Sequence, residues 1–454
     1  MASAADQLAS GLNLSKFGQA TELKKRLWFT LGALIIFRML SYVPLPGVDP
    51  TQLGLLAQRT QGGVLDFFNT FSGGALERMS VIALGVMPYI TASIVVQLAT
   101  SLSPALAAIK KEGESGRKKL NQYTRYGTVA LTAVQGYVIA VGLETLGATQ
   151  GLAPVVEPGM LFRVAAVISL IGGTMFLMWL GEQITSRGVG NGISLIIMAG
   201  IVAHLPTTLV QLFEGGRSGS MNPVTLVAIL VAVALLVLFI CFMERAQRRI
   251  LIQYPKRQTQ RGVQSERSHL PLKINTAGVI PPIFASSLLL MPLTISQFAG
   301  QQQAGQGWWG DFIISLNQYL QHGSLVYMLL YGAGIIFFSF FYTAVVFNPE
   351  ETADNLKKYG GFIPGIRPGK NTEAYFDYVL TRITVIGAAY LTIICLLPEY
   401  LVSALAIPFY LGGTSLLIVV NVTMDTVTQI QSHLLAHQYG DLIKKAKLKG
   451  GRLR

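Results

Sequence analysis

The chain has 454 residues, of which 51% are hydrophobic and only 13% charged, with a formal net charge of +13. A soluble domain carries about 25% charged residues, so the composition excludes an ordinary water-soluble fold. The apolar residues gather in runs of about 20, the length that crosses ~30 Å of hydrocarbon, so the sequence predicts an all-α membrane protein.

In chain order, the first 26 residues are polar and lack a small-residue cleavage site. The first apolar run is therefore expected to stay as a permanent helix. Ten spans are predicted, at 27–44, 76–99, 125–145, 161–182, 192–213, 222–243, 274–296, 324–347, 379–397 and 407–428. After the first span, Pro44, Pro46 and Gly47 end a helix, and Val64, Leu65, Phe67, Phe68 and Phe71 follow in a short segment, 62–74, that closes on Gly73 and Gly74. Nine or so apolar residues cannot cross, so on the residues alone this piece reads equally well as re-entrant or as an amphipathic surface helix. Gly172, Gly173, Gly181, Gly412 and Gly413 lie in or beside spans, where small residues let helices approach closely. Pro88, Pro281 and Pro282 are expected to bend the spans that hold them.

Ten spans divide into two sets of five, and an odd number per half gives the halves opposite orientation, which permits an inverted repeat. The expected organisation is a cytoplasmic segment (1–26), a first half (27–213), a sixth span with its preceding loop (214–243) and a basic cytoplasmic loop (244–273). Spans seven and eight (274–347), a second cytoplasmic loop (348–378), spans nine and ten (379–428) and a basic tail (429–454) complete it.

Of the 35 Lys and Arg, 30 fall in segments assigned to the cytoplasm; only Arg38, Arg59, Arg78, Arg163 and Arg217 do not. The positive-inside rule then places both ends in the cytoplasm, and topology alone accounts for much of this basic face. The run Arg245, Arg248, Arg249, Lys256, Arg257 and Arg261 would also suit the phosphates of ribosomal RNA.

Tools of catalysis are missing. Gly369-Lys370 has Pro364 where a phosphate-binding loop needs glycine and Asn371 where it needs Ser or Thr. His433 and His437 stand four apart with no Glu between them, and no metal or cofactor is expected. Cys241 and Cys395 lie in apolar spans as small hydrophobes. An ion-coupled transporter, the rival reading, needs titratable groups at mid-span, whereas Arg38, Glu77, Glu144, Glu182 and Asp425 stand toward span ends.

Four long strings carry a resemblance: FSGGALERMSVIALGVMPYITASIVVQL (71–98), GTMFLMWLGEQITSRGVGNGISLIIMAGI (173–201), HLPLKINTAGVIPPIFASSLLL (269–290) and NPEETADNLKKYGGFIPGIRPG (348–369). In family order, and from about residue 12 onward, the chain resembles the bacterial SecY family, channel subunits of the protein-secretion translocon. The resemblance implies two five-helix halves around a central pore, closed by an aliphatic ring that falls on Val86, Ile90, Ile193, Ile197, Ile283 and Ile418. Segment 62–74 then matches a plug that leaves the pore, and Thr91, Gln135 and Asn275 match the polar positions of a side exit toward lipid. Arg367, with the basic residues between 245 and 261, would meet the SecA ATPase or a ribosome. Implied partners are SecE and SecG, accessory SecD/SecF and YidC, membrane lipids, and unfolded secretory and membrane-protein substrates. A scaffold or insertase without a through-pore is the remaining alternative.

Overall fold

The structure, a computed structural model, describes residues 21–53, 69, 72–150, 153–219, 222–254, 257–259, 262–264, 267–289, 315, 319, 324–405 and 412–450. Helices dominate: α1 (Thr21–Leu40), α2 (Met87–Leu102), α3 (Pro104–Lys111), α4 (Glu114–Gln150), α5 (Met160–Arg187), α6 (Gly192–Arg217) and α7 (Pro223–Arg245). Strands β1 (Gln247–Gln253), β2 (Arg257–Thr259), β3 (Gly262–Gln264) and β4 (Arg267–Lys273) follow. The chain continues through α8 (Ile280–Leu289), α9 (Leu325–Val346), α10 (Pro349–Lys358), α11 (Lys370–Leu405) and α12 (Gly413–Gly450).

Among the described residues, six helices are long and apolar enough to cross a membrane, and α2 with α3, bent by 101°, makes a seventh if counted as one broken span. The chain is a multi-pass helical membrane protein. Helix covers 27–40 of its first expected span in α1, 280–289 of its seventh in α8 and 413–428 of its tenth in α12. Residues 290–296 and 407–411 lie outside the described residues.

Two expectations need correction. The predicted span 76–99 is helical only from Met87 onward, because the preceding backbone turns through Gly73, Gly74 and Gly85, all at positive φ, and Pro88 then starts the helix without needing an N–H partner. The basic loop 244–273 holds an antiparallel pair, β1 with β4, in register from Gln247↔Lys273 to Gln253↔Arg267. Alternate residues Ile250 and Ile252 are buried on β1, the period-two pattern of a half-buried strand.

The chain forms two compact units, described separately. Unit 1 is drawn from Met1–Thr207 and Val422–Arg454. Here antiparallel α4 and α5 are cross-bridged near both ends: Arg125 reaches Glu182 at 2.7 Å, and Arg163 reaches Glu144 at 2.7 Å. Glycines set the closest approaches, since a Cβ on Gly173 would overlap the Val81 carbonyl and one on Gly192 the Gly181 carbonyl. At Gly172, by contrast, a Cβ would meet nothing. Leu23 of α1 and Val189 share a small core with Ile430 and Leu434 of α12.

Unit 2 is drawn from Thr208–Ser296 and Gly305–Asn421. Its bundle packs α9 against α11, with the Tyr331 hydroxyl 2.7 Å from Thr414 Oγ1 at the start of α12. Beyond the bundle, Ile250 and Leu272 of the hairpin, Ala353 of α10, Ile363, and Phe376, Val379 and Ile383 of α11 form one buried core. A backbone bridge fixes the connection: Gln253 and Phe362 exchange N–H···O bonds of 2.9 and 3.0 Å. The two loops at 244–273 and 348–378 thus build a single folded knob.

Candidate channel lining, side exit and contact surface

Within unit 1, Val86 caps α2 and Ile90 stands one turn later on the same face; both are buried. Ile193 and Ile197 repeat that spacing at the start of α6, Ile197 buried and Ile193 half-buried. Ile193 uses the space that Gly181 leaves on α5, where a Cβ would come within 2.9 Å of Ile193 Cγ1. In unit 2, Ile283 on α8 and Ile418 on α12 are both buried. All six are aliphatic, with side chains that offer water no hydrogen bond. The plug residues Val64, Leu65, Phe67, Phe68 and Phe71 lie outside the described residues.

The three side-exit positions differ in how their polar groups are used. Thr91, buried on α2, donates to its own helix at the Met87 carbonyl, 3.1 Å away. Gln135, buried on α4, carries an Oε1 with no hydrogen-bond partner among the described residues. It extends a buried polar stripe of Thr124, Thr128 and Thr132, whose hydroxyls all bond back to carbonyls one turn earlier. Asn275, in unit 2, is fully engaged: its Nδ2 donates to Glu244 Oε1 at 2.6 Å and to the Gly278 carbonyl at 3.1 Å. Glu244 is a buried carboxylate that the sequence reading missed. The only signal was an acid at the end of an apolar run beside Arg245, a position that also suits an exposed interfacial charge.

On the knob, Arg245, Arg248 and Arg249 are exposed, the first at the end of α7 and the others on β1. Lys256 and Arg261 lie outside the described residues, as does the side chain of Arg257 on β2. Arg367 is exposed at the tip of 361–369. Its carbonyl accepts from Thr372 Oγ1 at 3.0 Å, which ties the tip to the first turn of α11. Gly365, at φ +85°, supplies a left-handed turn that an L side chain resists, and Pro364 and Pro368 stiffen what flanks it. The structure thus places the two predicted contact regions on one knob, which their separation in sequence did not announce.

Three carboxylates of the spans are engaged near helix ends, while Glu399 is buried in α11 and Asp425 lies inside α12. Glu144 meets Arg163, Glu182 meets Arg125, and Glu244 meets Asn275. Those three contacts differ from the mid-span titratable site of an ion-coupled carrier.

The family model described as SecY matches residues 80–427. Protein translocase subunit SecY of Escherichia coli K12 is 54% identical over 434 residues, covering 95% of this chain and 96% of that protein. The Rickettsia typhi subunit of the same name is 51% identical over 440 residues, covering 97% and 100%. A solved structure described as a protein conducting channel shares the fold, with a TM-score of 0.62 at 16% identity over 90% of this chain and 92% of that one. Sec61 in a canine ribosome-channel complex from the endoplasmic reticulum matches with a TM-score of 0.60 at 15% identity, over 90% and 92%. With a helical membrane fold, an aliphatic set at the mapped positions and this similarity over nearly the whole length, the chain belongs to the SecY family of protein translocase subunits.

Proposed function

We propose that this chain is the protein-conducting channel of a secretory translocase, passing unfolded polypeptides across the membrane and releasing apolar helices sideways into lipid. The observation that carries the reading is similarity to translocase subunits along 95% of the chain, with the channel fold preserved. Val86, Ile90, Ile193, Ile197, Ile283 and Ile418 form the constriction in this reading. An aliphatic ring sheds water when narrow and so blocks ions, while its side chains part around a threaded chain.

The two five-helix halves are inversely repeated, and 62–74 serves as the plug. Thr91, Gln135 and Asn275 belong to the side exit, held by hydrogen bonds of about 0.6–2 kcal/mol that an apolar signal helix can displace. The chain performs no catalysis and draws its energy from partners. Arg367 and the basic residues of the hairpin receive the SecA ATPase or a ribosome, the planar guanidinium suiting a carboxylate and the charge suiting RNA phosphates. SecE clamps the halves, SecG joins them, and SecD/SecF and YidC assist. In this reading the chain lies in the bacterial inner membrane with both termini in the cytoplasm, which the basic loops support.

A photo-crosslinker at Ile418 tests the proposal. A stalled secretory chain should label Ile418 but not Leu235, an exposed residue on the apolar surface of α7. Labelling at Leu235 with none at Ile418 would mean that the polypeptide travels outside the ring.

A further inference from the structure

Glu244 stands where stability argues against it. It is the penultimate residue of α7, 7% exposed, while Arg245 beside it faces solvent. A carboxylate there meets the negative end of the helix dipole, and burial disfavours its charge further. A leucine of similar volume would avoid both penalties. What the carboxylate provides is an acceptor. Asn275 Nδ2 donates to it at 2.6 Å and spends its second N–H on the Gly278 carbonyl.

That bond is one of several converging on a short turn. Ile274 N donates to the Ala246 carbonyl at 3.1 Å, so residues 274 and 275 are both tied to the end of α7. From the other side, Gly387 of α11 leaves room for the Ile274 carbonyl, which a Cβ would approach to 2.8 Å. The turn passes through Gly278 at φ +64° and enters α8, which carries Ile283. Nothing but this turn separates the carboxylate's anchor from the helix that presents a constriction residue.

We propose that Glu244 is a positioning residue, a latch that holds Asn275 inside its own unit at rest and so fixes the start of α8. The inference rests on the channel reading and adds to it a residue that sets how readily the side exit opens. Breaking the bond releases one N–H of the Asn275 amide, leaves it tied to the turn only through the Gly278 carbonyl and lets α8 shift, so a weaker signal helix suffices to part the seam.

The test is export into inverted membrane vesicles, with the full complex carrying this chain. A secretory polypeptide with an intact apolar signal is compared with one whose signal is shortened. Glu244→Ala should raise the shortened-to-intact ratio about tenfold, the order expected when a buried N–H loses its acceptor. Glu244→Asp keeps the charge but withdraws the acceptor by one methylene. It should shift the ratio the same way, and it carries the test if the alanine variant fails to accumulate. Glu244→Gln retains an acceptor and should restore the ratio to within about twofold of wild type.

A wild-type ratio in both Glu244→Ala and Glu244→Asp overturns the latch, as does a Glu244→Gln variant as permissive as alanine. Failure of the wild-type complex to export even the intact substrate would instead defeat the channel reading, and the latch with it.

Discussion

The bundle of unit 2 and the knob built on it are held together by opposite means. In the bundle, Pro398 interrupts α11 and cannot donate to the carbonyl of Ile394 four residues earlier. Gly413, the first residue of α12, covers that carbonyl so closely that a Cβ there would overlap it, with Pro398 Cγ at 3.0 Å. The contact is backbone against backbone, as expected where lipid tails compete for every apolar side chain. In the knob, water is the solvent, and Ile250, Leu272, Ile363, Phe376, Val379 and Ile383 cohere by leaving it. Each fully buried side chain of that size contributes about 1.5–3 kcal/mol. The same chain therefore relies on absent side chains in one medium and large ones in the other.

The strongest way to break the comparison is Gly413→Val. Its methyl groups have no space that movement of a flexible side chain could supply, since backbone and a proline ring confront them. The loss should exceed the ~4 kcal/mol that single substitutions rarely reach. Thermal unfolding of the purified complex reads it directly. A variant that unfolds at the wild-type temperature would show that α11 and α12 do not depend on this approach.

Phe376→Ala probes the other side. The side chain is fully buried and meets Phe347 edge-on, with ring centroids 6.2 Å apart, so a loss of about 3–5 kcal/mol is expected. Because α11 continues far beyond this core into the bundle, the damage should stay local. Limited proteolysis should cut within 247–273 many times faster, while the bundle keeps its thermal transition. Equal protection in variant and wild type would separate the hairpin from the α11 core.

What the sequence disclosed follows the same division. Apolar runs of spanning length and the glycines of the close contacts were legible, because each is a local property of composition and spacing. The hairpin was not read, although Ile250 and Ile252 face Leu270 and Ser268 across it and Leu270 alternates with Leu272. Arginines on one strand and Pro271 in the other made the alternation look like a loop. The Gln253–Phe362 bridge joins residues too far apart for any local pattern to declare. Glu244 escaped for a related reason: its burial depends on Asn275, 31 positions on, and no window around residue 244 contains that partner. At the site, the aliphatic positions and Arg367 came from family resemblance, since periodicity alone cannot tell a constriction residue from ordinary packing.

Gly365 gives the finest distinction, because its constraint differs from that at Gly413. Nothing lies within 4 Å of where its Cβ would be, so space is no obstacle, yet its φ of +85° is one that L residues avoid. Gly365→Ala should cost only about 1–2 kcal/mol, all of it from backbone strain. Asparagine tolerates the left-handed region better, so Gly365→Asn should cost less than alanine although its side chain is larger. The tip carries Arg367, and the bundle does not share its strain. Both variants should therefore keep the wild-type thermal transition while slowing export, alanine more than asparagine. If asparagine proves the more harmful, bulk at the tip decides the outcome, and the left-handed turn is not what holds Arg367 in place.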